Sequence, residues 1–221
     1  MRAWIYLCAA LLLAGLCGSV SAAHIAFELN TEYSGGTPPA GSAPWLRVDF
    51  DDMGTAGSVV MTMTASSLTG SEFVTDWRLN LDPTLDPTAL SFSSPTKTGS
   101  FADPVITTGV NFTMAPGDGN YDILVAFDNA PPANRFTAGE SVKYTITGIP
   151  TLTANSFAFL SAPNGGHGPY HTAAHVQGIG AQANQSGQIT NGQILIVIPE
   201  PASVAMGSMA LLALLPRRWR R

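Results

Sequence analysis

Cysteine is almost missing from this chain of 221 residues: there are two, Cys8 and Cys17, and both lie near its start. Residues 1–23 read as a cleaved secretory signal peptide. Arg2 supplies the positive n-region and Ile5 to Leu16 the apolar h-region. Val20-Ser21-Ala22 and Ser21-Ala22-Ala23 both offer small residues where signal peptidase cuts, so cleavage after Ala22 or Ala23 is expected. An uncleaved N-terminal anchor is the alternative. A lipoprotein is excluded, because the bulky Leu16 precedes Cys17 where a small residue is needed. The exported body then has no cysteine, which rules out disulfides, zinc-thiolate sites and cysteine nucleophiles and leaves burial as the source of stability.

Positive charge is scarce as well. Of ten Lys and Arg, only Arg47, Arg78, Lys97, Arg135 and Lys143 fall in residues 24–198, against fourteen of the fifteen acidic residues, a formal charge of about −9. Such a body repels nucleic acid and anionic lipid, so no nucleic-acid partner is expected, and it can attract calcium. There is no Gly-x-Ser-x-Gly elbow, no nucleotide loop and no Ser-His-Asp order. The body's only glutamates are Glu28, Glu32, Glu72 and Glu140, so no paired-Glu spacing stands out either. No catalytic constellation is recognisable. Helical periodicity with caps and internal repeats are also lacking.

What the body has is a period of two. Leu46, Val48 and Phe50 alternate with Arg47, Asp49 and Asp51, and Val59, Met61 and Met63 with Val60, Thr62 and Thr64. Trp77, Leu79 and Leu81 alternate with Arg78, Asn80 and Asp82, and Val142, Tyr144 and Ile146 with Lys143, Thr145 and Thr147. These predict half-buried strands. Further strands are expected at 25–29, 105–112, 121–127, 156–160, 172–177 and 194–198, with turns at the intervening Gly, Pro, Asn and Asp clusters. The Gly, Asn and Gln-rich piece 178–193 reads as a long loop. The fold expected for residues 24–198 is all-β, an antiparallel β-sandwich of the jelly-roll or immunoglobulin-like kind.

The end of the chain has a three-part order. Pro199-Glu200-Pro201 is followed by an uncharged apolar run from Ala202 to Leu215, then by Pro216 and Arg217-Arg218-Trp219-Arg220-Arg221. The prolines hold the peptide extended and keep a helix from running back through them. A transmembrane helix over 202–215 would cover about 20 Å of a hydrocarbon core of roughly 30 Å, short for a permanent span. Arg217, Arg218, Arg220 and Arg221 act as a basic membrane stop that places the C-terminus in the cytoplasm.

This order resembles the PEP-CTERM sorting signal of exopolysaccharide-producing Gram-negative bacteria, and the match covers residues 199–221. The resemblance implies export by the Sec translocon with signal peptidase removing the leader. It further implies transient anchoring in the inner membrane, processing near Pro199, Glu200 and Pro201 by an exosortase-type membrane peptidase, and release to the cell surface or extracellular matrix. An ordinary tail anchor is the competing reading. Ser156 to Pro163 and Ala173 to Ile179 also look like segments of PEP-CTERM bodies, in which Ser-Gly-Trp-Ile often follows; here Ser186-Gly187-Gln188-Ile189 stands in that place.

Four features of the body could carry binding. His167, His171 and His175 are spaced by four, which on a helix would gather three imidazoles for a metal. Gly165, Gly166, Gly168 and Pro169 oppose a helix there, and on a strand His171 and His175 would share a face about 13 Å apart, too far for one metal. His167, Tyr170, His171 and His175 are therefore a candidate ligand-binding loop, beside the plainer reading as loop and strand residues. Asp118, Asn120 and Asp122 place oxygen donors at alternate positions, like the opening of a calcium loop. Ile123 stands where a glycine belongs and no Glu closes the loop, so the alternative is a turn feeding the next strand. Asp49, Asp51 and Asp52 pose the same question at another strand. No cofactor besides calcium is suggested. Among Tyr33, Trp45, Trp77, Tyr121, Tyr144 and Tyr170, any sugar-stacking face is expected at Tyr170, with Trp77 and Tyr144 in the core.

The expectation is a non-enzymatic exported β-sandwich, structural or adhesive in exopolysaccharide or biofilm. The alternative is a secreted carbohydrate-binding module or hydrolase with its site in the 165–175 loop.

Overall fold

The computed structural model describes residues 22–199. The n- and h-regions of the leader, Glu200, Pro201, the 202–215 run and Arg217, Arg218, Arg220 and Arg221 lie outside the described residues. Among those described there is no α-helix, and no helix is long and apolar enough to cross a membrane.

Fifteen strands run through this part of the chain: β1 (His24–Leu29), β2 (Thr31–Glu32), β3 (Leu46–Asp51), β4 (Val59–Thr64), β5 (Phe73–Leu79), β6 (Ser91–Phe92), β7 (Thr96–Thr98), β8 (Val105–Met114), β9 (Gly119–Ala126), β10 (Phe136–Thr137), β11 (Ser141–Thr147), β12 (Ala162–Pro163), β13 (Thr172–Ile179), β14 (Gln185–Thr190) and β15 (Ile196–Val197). They form two antiparallel sheets. The first has the order β15-β1-β3-β4-β11-β6, with β7 also on β11; the second runs β12-β9-β5-β13-β14-β2, with β10 on β5 and β8 on β9. The sheets pack face to face as a β-sandwich.

Alternation of side chains across the pleat explains the core. In the first sheet, register puts Phe27, Val48, Met63 and Val142 in one row, and Ile25, Phe50, Met61 and Tyr144 in the next, all turned inward. In the second, Trp77 lies between Val125 and Ala174, and Leu79 beside Ile123. The small Ala174 leaves room for the indole, whose Nε1 donates to Thr172 Oγ1 at 2.9 Å. Phe157 stacks on Phe50 with centroids 4.2 Å apart, and Phe127 stacks on Phe136 at 4.5 Å. Outside the first sheet, Arg47 bonds Asp49 and Glu28, each at 2.7 Å, and His24 reaches Asp49 at 3.2 Å.

Two turns share one device. In Thr69-Gly70-Ser71-Glu72 the Glu72 N–H donates to Thr69 O, while the Glu72 carboxylate accepts from Thr69 N and from the distant Ala40 N, both at 2.7 Å. In Thr137-Ala138-Gly139-Glu140 the pattern repeats, with Glu140 accepting from Thr137 N at 2.6 Å and Ser100 N at 2.9 Å. Each carboxylate closes its own turn and ties down another loop.

Three expectations are corrected. Residues 156–160 are not a strand: Ala154–Phe157 is a 3-10 turn, held by a capping box between Thr153 and Ser156 that competes with extension. The 178–193 piece is not a long loop, since Gln185–Thr190 is β14, hydrogen-bonded to β13 and β2. Arg78 and Asn80 do not face water and are buried: Asn80 Nδ2 donates to His171 O at 3.1 Å under the segment around Tyr170 and His171, and Arg78 Nε donates to Thr113 Oγ1 at 3.4 Å.

Candidate functional site

β15 docks on β1 with Val197 opposite Ile25, and the Ile198 N–H donates to His24 O at 2.8 Å. The exposed Pro199 follows directly, and Ala23, Ile198 and Pro199 border one cleft of about 310 Å³. The two ends of the described chain therefore lie side by side at one pole of the sandwich. Of the candidate sorting residues Pro199, Glu200 and Pro201, Pro199 is the one the structure describes.

The candidate loop at 165–175 sends its side chains to different places. His167 is exposed, its ring tilted toward Tyr33 at 5.9 Å. Tyr170 is half-buried beside Tyr33, with centroids 5.1 Å apart, and its backbone exchanges bonds with Ser161. His171 is buried between the sheets, stacked on Phe27 at 4.9 Å, and its Nδ1 accepts from Asn191 Nδ2 at 3.1 Å. Burial holds its pKa below the ordinary imidazole value, so the neutral ring is the packed form. His175 meets Thr75 Oγ1 at 2.9 Å, and its pKa is also lowered, by burial first, against the opposing pull of Asp76. His171 and His175 thus do not share an open face: His171 precedes β13, and β13 carries a register shift against β5 at His175.

The candidate calcium donors are each engaged elsewhere. Asp118 is buried and accepts from Tyr121 Oη and from Ser161 Oγ at 3.2 Å. Desolvation raises its pKa above the usual carboxylate value. Asn120 Oδ1 accepts from Asn164 Nδ2 at 3.1 Å. The Asp122 carboxylate accepts from Leu81 N at 3.0 Å and Asn111 N at 2.8 Å, standing in for backbone pairing between its neighbours. Three donors directed to three segments do not converge on one cation. Among the described residues no group of three or more His, Cys, Asp or Glu could hold a metal ion. At the other acidic strand, Asp49 faces Arg47, Asp51 accepts from Met53 N and Asp52 is buried.

None of the six aromatic residues considered for stacking is exposed. Trp77 and Tyr144 are in the core as expected, and Tyr33 and Tyr121 form a second apolar cluster with Ala115 and Ala173, against which Tyr170 packs. Around this cluster lie groups that sequence reasoning passed over. Ser161 links Asp118 to the Tyr170 N–H, with no imidazole among its partners. Arg78 Nη1, Tyr33 Oη and Gln188 Oε1 are buried without a hydrogen-bond partner among the described residues. Arg78 was legible only as a basic residue on a predicted water-facing side, and Gln188 only as the departure from Ser-Gly-Trp-Ile.

A cleft of about 320 Å³ lies between residues 81–87, 159–163 and Val110-Asn111, at the irregularity in the middle of β8. Val110 and Leu160 are exposed on its rim, while two of its polar residues, Asn80 and Asp122, are turned to backbone partners. No family model, no curated protein and no solved structure matches the chain.

Proposed function

We propose that this chain is an exported β-sandwich of the PEP-CTERM kind, sorted through its C-terminal signal by an exosortase-type membrane peptidase and working as a structural or adhesive component of the cell surface or exopolysaccharide matrix. The observation that carries the reading is the order of Pro199-Glu200-Pro201, a short apolar run and four arginines. It is supported by the side-by-side position of Ala23 and Pro199, since a body with both leaders at one pole can sit on a membrane without either leader crossing its core. Repeated passage of the chain between the two sheets favours the jelly-roll form of sandwich.

The test is intact-mass spectrometry of protein recovered from the envelope and from the medium, beside a variant with Pro199, Glu200 and Pro201 all replaced by Ala. The native chain is expected to lose its basic tail and the variant to keep it in the envelope. Native protein that still carries Arg221 in every fraction refutes the sorting reading.

A further inference from the structure

The two small-residue registers at the end of the leader predict cuts one residue apart, and the folded body distinguishes them. Asp52 is only 4% exposed. Its Oδ1 accepts from Ala23 N at 2.8 Å and Gly54 N at 3.0 Å, its Oδ2 accepts from Ala154 N at 3.2 Å, and its own N–H donates back to Ala23 O at 3.1 Å. Ala23 is partly buried against the main core. Three neutral N–H groups surround this carboxylate, yet none of the ion pairs among the described residues includes it. The carboxylate is held by backbone donors alone, and a charged donor at the position of the Ala23 N–H would turn its shortest bond into a charge-assisted one.

We propose that the bond cut on export is Ala22–Ala23, and that the new α-ammonium of Ala23 is the counterion of Asp52. This rests on the export reading above. Hydrolysis breaks the Ala22 C–N bond: the hydroxyl of water stays on the Ala22 carbonyl carbon and its hydrogen goes to the Ala23 nitrogen, which takes up one more proton at neutral pH. The nitrogen that donates to Asp52 Oδ1 at 2.8 Å thereby becomes a cation in place. Signal peptidase acts on the extended chain at the membrane, so the partial burial of Ala23 does not obstruct the cut. A cut after Ala23 would remove both reciprocal bonds and leave Asp52 with Gly54 N and Ala154 N alone. Asp52 in turn accepts from Ala154 N of the 3-10 turn whose Phe157 stacks on Phe50, so the ammonium reaches that turn through Asp52.

The experiment expresses the full chain in a host with Sec export and sequences the N-terminus of the recovered protein. Ala23 as first residue is expected. His24 as first residue overturns this inference and leaves the signal-peptide reading standing, whereas retention of Met1 overturns both. A second arm uses Ala22→Leu, which blocks the first register and forces the cut after Ala23, removing the substituted residue with the leader. That product, beginning at His24, is expected to melt about 5 °C lower than the native one, from loss of a charge-assisted bond; equal melting temperatures overturn the Asp52 pairing. In a third arm, acylation of the α-amine near neutral pH is expected to be about tenfold slower in the native protein than in Asp52→Asn, the factor that one unit of pKa represents. Equal rates in a folded variant also overturn the pairing.

Discussion

Replacing Glu72 by Ala tests whether these turns are held by their carboxylates or merely decorated by them. Glu72 is 2% exposed and accepts two backbone N–H bonds at 2.7 Å, one within its own turn and one from Ala40 across 32 residues. A hydrogen bond to a charged acceptor contributes about 1.5–3 kcal/mol. Thr69 and Ala40 are themselves exposed, so water can recover part of the loss, and about 3 kcal/mol in total is the reasoned cost. For a body of this size that corresponds to a fall in Tm of roughly 9 °C. Glu140→Ala breaks the same geometry at a half-exposed carboxylate and should cost about half as much. Glu72→Gln is the decisive control. It keeps the side-chain size but replaces one acceptor with a donor facing an N–H, so it should lose at least half of what Ala loses. Calorimetry of the recovered protein at neutral pH measures all three. A Gln variant as stable as the native protein, or a larger loss at Glu140 than at Glu72, refutes the acceptor reasoning.

Further outcomes follow from the same geometry. Burial raises the Asp118 pKa, so the folded state holds its proton more tightly than the unfolded state. Its contribution is therefore full below the unfolded carboxylate value and is lost as pH rises through the folded one. The stability difference between native protein and Asp118→Asn should shift against the native residue as pH rises from acid to neutral, and a difference that moves the other way in a melting series contradicts this. His171 has a lowered pKa, so its contribution is present above about 6.5 and lost as pH falls through the folded value; proton NMR of its ring should give a midpoint below 6.5, and one above that value is inconsistent with the packed neutral ring. Phe50→Ala should cost about 3–5 kcal/mol by denaturant unfolding, because it leaves a void between Phe27 and Phe157. Val110→Lys, at a site 68% exposed, should change stability by less than about 0.5 kcal/mol.

The long strands were legible because a half-buried pleat writes its period into the sequence, and β3, β4 and β11 alternate in burial as their residues alternate in polarity. β14 was not legible for a physical reason. Its first two residues, Gln185 and Ser186, are exposed and polar, and at Gly187 a Cβ would sit 2.5 Å from Thr37 O, so a close backbone approach takes the place of a side chain. The turn at Ala154–Phe157 did have a sequence signal in its Thr153 and Ser156 capping pair, but the apolar run after it read as strand. For the candidate sites, residue types were readable and directions were not. Whether Asp118, Asn120 and Asp122 converge depends on which neighbour each hydrogen-bonds, and those neighbours, Ser161, Asn164, Leu81 and Asn111, come from other strands and loops.

Pro199 acts in the fold as well as in the proposed signal. β1 would be an open edge of the first sheet, and β15 covers it with two residues before the chain reaches a proline that has no N–H to offer. A longer β15 would itself be an edge able to accept another chain, whereas a two-residue strand closed by proline protects β1 without creating a new template. Processing on the C-terminal side of Pro199 leaves this protection intact. A cut before Ile196 would strip it and expose the backbone of Ile25 and Ala26 to pairing. The proposed processing, placed beyond Pro199, would therefore leave the β1 edge covered by β15.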